Sequence, residues 1–305
     1  MTAPVTHWDE LPTRRAVQGP LDARWTDLGT GSVTVGAKRI QLDPGCMPTP
    51  PHCHGAEEEI FYVLAGSGLS WQDGATYEIR EGDCLVHPAN GAAHTLRAGD
   101  GGLDAIAFGT RVPVEAAVLP RAGVAWLGPS WTEVGGPHPW DREAAQPPLE
   151  FAPPSQRPAS IVNVDDAPAN DIRKQTVSRL VRYLTRDAGA TRSGLRHSMV
   201  RPGMLNVPPH CHGAEEELFV VIGGDGTLLL GDDEVAVRTG SVVARPAGTG
   251  VAHAFRGGPD GMTLLMYGTR EPNDICFYPR SGKVYLCGVD VIGRIEPLDY
   301  WDGEE

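Results

Sequence analysis

Apolar residues along the chain come in short runs that glycine cuts off. Glu59 to Leu64 and Glu217 to Ile222 are rich in β-branched and aromatic residues and run into Gly66-Ser67-Gly68 and Gly223-Gly224-Asp225-Gly226, so each reads as a strand entering a turn. Leu228 to Leu230, Glu234 to Val237 and Ser241 to Ala244 continue the series at short spacing. Arg173 to Leu184 fits a helix, but Thr176, Val177 and Val181 suit a strand equally, and the pattern leaves both open. Runs such as Ile60 to Ala65 fall far short of the roughly 20 residues that span a bilayer. The expected fold is all-β, a compact antiparallel barrel or jelly roll.

The pattern occurs twice. Pro50 to Glu59 reads PPHCHGAEEE, and Pro208 to Glu217 repeats the same ten residues at an offset of 158. Gly45 pairs with Gly203, Phe61 with Phe219, Gly66 with Gly224 and Pro88 with Pro246. After one inserted residue, His94 pairs with His253, Gly109-Thr110-Arg111 with Gly268-Thr269-Arg270, and Pro120-Arg121 with Pro279-Arg280. Two copies of one domain are expected, at residues 1–128 and 161–305. The connecting arm, 129–160, is broken by Pro129, Pro137, Pro139, Pro147, Pro148, Pro153, Pro154 and Pro158. Trp131 and Trp140 suggest that this arm packs on the surface. Tyr300-Trp301-Asp302 closes the second copy in a similar way, and the two Trp-bearing arms motivate the expectation of a homo-oligomer, a dimer first.

Composition narrows the function classes. The 305 residues suffice for about two domains, and the 38 Gly and 27 Pro against 7% aromatics favour turns and short strands. A formal net charge of −13 would repel a phosphate backbone, which argues against nucleic-acid binding. No membrane span is expected. Met1 to Glu10 carries Trp8, Asp9 and Glu10 where a secretory signal would have a basic and then an apolar stretch, so a cytoplasmic location is expected. The six cysteines lack a C-x-x-C spacing and are read as reduced thiols.

Alternation in a strand puts His52 and His54 on one face with Cys53 turned away, and His210 and His212 repeat this around Cys211. Two imidazoles side by side are half of a metal site. Glu59 and Glu217 open the following strands, and His94 and His253 follow Pro turns, so each copy offers three imidazoles and one carboxylate. A His pair in a strand is often structural and a Glu triplet is usually solvated, but recurrence of the whole set at one spacing favours metal binding.

These residues resemble the two motifs of the cupin superfamily, and the chain as a whole a bicupin. The first motif is similar to Gly45, His52, His54, Glu59 and Gly66, and again to Gly203, His210, His212, Glu217 and Gly224. The second is similar to Gly82, Pro88, Gly91 and His94, and to Gly240, Pro246, Gly250 and His253. Six residues rather than five precede each His pair, and the second copy has one more residue between Pro and His. The resemblance implies two double-stranded β-helix barrels, each with a metal held by His52, His54, Glu59 and His94 or by His210, His212, Glu217 and His253. Such a set suits Fe, Mn, Ni, Cu, Co or Zn, with Fe or Mn favoured, one ion per barrel.

Around these ligands, Phe61, Leu96, Phe219 and Phe255 are expected to face inward, as core or as pocket lining. Trp71 aligns with Leu229 and Ala107 with Met266, so two differently shaped pockets are expected. Cys53 and Cys211 are read as packing residues. His87 and His197, aligned with Arg245 and Arg39, are read as surface groups or as supports behind the ligands. His7 and His138 carry no signal.

The leading functional expectation is a metal-dependent, dioxygenase-type oxidoreductase acting on a small organic molecule, as the resemblance to quercetinase-like cupins implies. The alternative is a redox-neutral decarboxylase, isomerase or lyase. Oxalate-acting bicupins would carry an Arg between the motif Gly and the His pair, and Cys46 to Pro51 and Met204 to Pro209 contain none. A non-catalytic small-molecule-binding bicupin is the third reading, disfavoured by the complete ligand sets.

Overall fold

The computed structural model describes residues 5–29, 31–112, 114–127, 130–131 and 138–304. Pro129 and Pro137 of the connecting arm lie outside the described residues, as does the side chain of Trp131. Among the described residues the fold is almost entirely β, with two large sheets and two small ones. In the first half, the large sheet runs Asp83–His87, Glu59–Gln72, His94–Thr110, Val35–Leu42, Leu21–Asp27, Thr13–Gln18, with Ala75–Arg80 added to Glu59–Gln72. The second half repeats it with Ser241–Arg245, Glu217–Leu230, His253–Thr269, Ser193–Val200, Ser178–Tyr183 and Ala169–Arg173. The ambiguous segment from Arg173 is therefore strand, and Val181 is fully buried.

The runs Ile60–Val63 and Leu218–Val221 show no alternation because both faces of these strands are covered. Phe61 and Val63 pack inside the first barrel, while Ile60 and Tyr62 pack against Leu218, Val220 and Tyr267 of the other half. One core thus joins the two copies, and each barrel keeps its own interior.

The halves also exchange edge strands. Ile161–Asn163, which the sequence reading assigns to the second domain, pairs with Asp83–His87 of the first. Thr6–His7, at the other end of the chain, pairs with Ser241–Arg245 of the second. A boundary at residue 160 therefore does not separate the two barrels cleanly. Pairing with the neighbouring copy covers sheet edges that would otherwise expose unpaired backbone groups.

The long hairpins bend sharply, with register shifts near Val63 and Gly66 in one copy and near Val221 and Gly224 in the other. Gly66 and Gly224 sit at φ of +84° and +73°, and a Cβ there would lie 2.3 Å from a carbonyl oxygen of Gly102 or Gly261. This bend lets one strand contribute to both walls of its barrel. No helix among the described residues is long and apolar enough to cross a membrane, and all six cysteines are free.

Candidate metal centres

Three strands and a loop supply each ligand set. In the first copy His52 and His94 exchange backbone hydrogen bonds of 3.1 and 2.9 Å, His54 lies in a short strand opposite Ala117, and Glu59 begins the long strand opposite Gly109 and His87. Four ligand atoms from His52, His54, Glu59 and His94 converge, all within 4.8 Å of one another. Oε2 of Glu59 stands 3.7 Å from Nε2 of His52, 3.7 Å from Nε2 of His54 and 3.0 Å from Nε2 of His94.

The far sides of these rings show what this cluster can hold. Nδ1 of His52 is 3.0 Å from the carbonyl of Pro50, and Nδ1 of His94 is 3.1 Å from that of Ala92. A carbonyl only accepts, so each Nδ1 carries the proton and each Nε2 turns a lone pair toward Glu59. Lone pairs aimed at a carboxylate repel unless a proton or a metal ion lies between them. Spacings of 3 to 4 Å match neighbouring donors around an ion held at roughly 2.0–2.2 Å. The set therefore fits a divalent metal. Burial, reinforced by His94, pushes His52 down to about 3, which keeps it neutral as a ligand must be. Although burial opposes it, the surrounding imidazoles hold Glu59 well below the usual carboxylate range.

The second copy has the same plan with different supports. Oε2 of Glu217 is 3.9 Å from His210, 3.3 Å from His212 and 2.9 Å from His253, measured to Nε2. Here the four residues do not close as one group. His210, Glu217 and His253 form one triad, and His210, His212 and Cys276 form another. Nδ1 of His212 donates to Asp274 at 2.7 Å, whereas in the first copy Glu115 stays 3.5 Å from Nδ1 of His54. Burial opposes the protonation of His212, but the hydrogen bonds to Asp274 and Glu217 outweigh it and raise the imidazole to about 10. Both acids also cap the loop after the His pair: Glu115 accepts from the N–H groups of Gly55, Ala56 and Glu57, and Asp274 from those of Ala214 and Glu215.

His87 is not a surface group, and Arg245, which stands in its place in the second copy, is half-buried. His87 is 4% exposed and stacks on His94 with ring centroids 3.7 Å apart. Arg245 faces Glu217 in the strand register and donates to the carbonyl of Val251 at 2.9 Å. That carbonyl corresponds to the one on Ala92 that holds His94, and Nδ1 of His253 has no hydrogen-bond partner among the described residues. His197 is buried at the junction of the halves, stacked on Tyr62.

The remaining sequence candidates divide by strand face. Phe61, Leu96 and Ala107 belong to the interior of the first barrel, and Phe219, Phe255 and Met266 to that of the second. They fill the barrels behind the ligands, with Phe61 edge-on to His94 and Phe219 edge-on to His253. Trp71 is different: it lines a surface cavity of about 880 Å³ with Gly74, Arg121, Pro147 and Phe151. Leu229 pairs with Ala254, whereas the neighbours Leu228 and Phe255 are the ones that join the interior. The expected contrast between Trp71 and Leu229 thus falls on the outer faces, because alternation places Ser70 and Leu228 inward past the bend. Glu115, Asp274, Cys276 and Tyr278 were not singled out from the sequence. The clue available there was their shared place after the Gly-Thr-Arg triplets, and Tyr278 now stacks on His210 at 5.7 Å.

Residues 38–107 and 196–266 each match the cupin domain model. Comparison with curated protein sequences gives no match. Among solved structures, the chain is similar to oxalate decarboxylase from Bacillus subtilis at pH 4.6, with a TM-score of 0.59 and 14% identity over 88% of this chain and 76% of that one. A two-residue deletion mutant of that enzyme gives 0.59 and 14%, over 88% and 77%. A structure of it concerned with its Mn(II) centres gives 0.57 and 14%, over 88% and 77%. At this identity the likeness establishes the fold.

Proposed function

The chain is a bicupin, and from that premise we propose that it is a metal-dependent enzyme performing redox-neutral chemistry, a decarboxylation, isomerisation or elimination, on a small organic molecule. The observation that carries the reading is the convergence of three imidazole Nε2 atoms on one carboxylate oxygen in each half. His52, His54, Glu59 and His94 would hold one divalent ion, and His210, His212, Glu217 and His253 the other. When bound, such an ion acts as a Lewis acid that steadies negative charge developing on a carboxylate or enolate oxygen.

The chain's own groups complete the environment. Phe61 and Phe219 close the floor of each site against water. Arg245 places a positive charge opposite Glu217 in the second barrel, which favours an anionic substrate and the carbanion-like charge that follows loss of a carboxylate or a proton. The likeness to a decarboxylase with Mn(II) centres supports the same reading and ranks it above the dioxygenase expectation.

The test is turnover by Mn(II)- or Fe(II)-loaded protein on a panel of small keto, hydroxy and dicarboxylic acids, with and without oxygen. Product formed anaerobically is the expected result. Product that appears only as oxygen is consumed would reinstate the dioxygenase, and metal content near zero after loading would overturn the metal-dependent reading.

A further inference from the structure

The second barrel holds a charge that the first does not. Arg179 lies in the strand Ser178–Tyr183 and is 8% exposed. Its Nε and Nη1 are buried, with no hydrogen-bond partner among the described residues. Register shows where it points: Arg179 faces Val200, and Val200 packs inside the second barrel with Phe219, Phe255 and Met266. The charged and titratable groups around it are Arg196, Tyr183, Glu217 and Tyr278. Glu217, the one acid among them, is already shared by His212 and His253. Burial, with Arg196 adding to it, pushes the guanidinium below its ordinary value.

Arg245 adds a second cation. Its Nη2 is satisfied by Thr249 and Val251, but its Nε is buried without a partner. The first barrel has neither arginine. There Arg24 faces Gln41 as Leu180 faces Met199, so Ala23 stands where Arg179 does, and His87 stands for Arg245.

A buried guanidinium with unpaired donors is costly to keep, and the guanidinium is the side chain whose planar donor fork matches a carboxylate. We propose that the second barrel contains a carboxylate subsite centred on Arg179, flanked by Arg245, which takes one carboxylate of a small organic acid whose other end faces His210, His212, Glu217 and His253. The first barrel lacks this subsite, so the acid binds once per chain. This deepens the reading above and rests on it for the reactive end, but the subsite can be tested without turnover.

The probe is malonate, titrated calorimetrically into the metal-loaded protein, with inorganic phosphate and acetate as separate arms. One malonate per chain is expected. Arg179→Met should weaken it at least tenfold while metal content stays unchanged and the melting temperature holds or rises. Arg179→Lys, which keeps the charge and loses the fork, should fall between. Equal affinity in wild type and R179M would overturn the subsite, as would absence of malonate binding to the wild type. Phosphate bound as tightly as malonate, with the same dependence on Arg179, would overturn the organic-acid assignment in favour of a general oxyanion site. If R179M fails to fold or loses metal, R179K decides: malonate affinity equal to wild type in that variant also overturns the proposal. Arg179-dependent malonate binding without turnover of any acid would leave the subsite standing and sink the enzymatic reading alone.

Discussion

Glu58 reaches across the junction of the two halves to Ser193, whose hydroxyl donates to its carboxylate beside the N–H of Thr191 at 2.9 Å. Glu216 makes the reciprocal contact, accepting from the N–H groups of Val33 and Thr34 at 2.9 and 2.6 Å and from the Thr34 hydroxyl. The repeated Gly-Thr-Arg triplets serve the same junction, since Thr110 and Thr269 accept from the N–H groups of Glu58 and Glu216. The middle Glu of each Glu triplet therefore fastens the copies together, while the third faces the three imidazoles of its own barrel.

Replacing Glu58 with Ala strands two donors in a site where the carboxylate is 1% exposed. The expected loss is about 1–3 kcal/mol in urea unfolding, with a similar loss for Glu216→Ala. Metal content should be retained in both, because neither residue faces a ligand set. A change within error of zero would mean that water replaces these contacts.

The two His/Glu clusters were legible because strand alternation and the repeat act within a few residues of each other: one ten-residue match carries six of the eight candidate ligands. Arg179 was not legible. It comes from a strand where the offset between the copies has drifted from 158 to 156, so the repeat no longer aligned it with Ala23. Asp274 and Glu115 escaped for another reason, since they act on Nδ1 from behind the ring and are joined to the His pair only by pairing of distant strands. Trp71 was placed on the wrong face because the register shifts near Val63 and Gly66 lie between it and Phe61.

His197 sets a pH dependence that involves no ligand. Burial, then Arg182, depresses it to about 4 from an ordinary 6.5. The folded state thus binds the proton less readily than the unfolded state, so this contribution is present above about 6.5 and is lost as pH falls toward 4. The shift corresponds to on the order of 3 kcal/mol. In His197→Gln, stability measured between pH 7 and 4 should fall less steeply, by about one proton, than in the wild type. Parallel curves would refute the assignment.

The motif glycines Gly66 and Gly224 are retained here for backbone reasons. Alanine at either would meet a carbonyl oxygen at 2.3 Å from a left-handed conformation, and neither carbonyl can move without shifting the hairpin bend. Each substitution should destabilise by at least about 2 kcal/mol. Equal losses at the two sites, read from thermal unfolding, would show that the bend is structural in both barrels whatever their chemistry.

The support behind His212 differs from that behind His54, which makes the two clusters unequal as proposed metal sites. Asp274 fixes the Nδ1–H of His212 at 2.7 Å, which orients the ring and increases the basicity of Nε2, whereas Glu115 stands off His54 at 3.5 Å. Asp274→Asn should therefore weaken metal binding in the second barrel by roughly 10–100-fold, while Glu115→Gln, whose main duty is to three backbone N–H groups, should change the first barrel less. Loss of the acid also removes the partner that raises His212, so the imidazole should deprotonate more easily and fewer protons should be released on metal loading. Chelator competition with elemental analysis reads the affinity, and proton release measured in weakly buffered solution reads the second effect. If D274N keeps both metals as tightly as the wild type, the hydrogen bond is only a loop fastening and the two centres are equivalent at the level of their ligands.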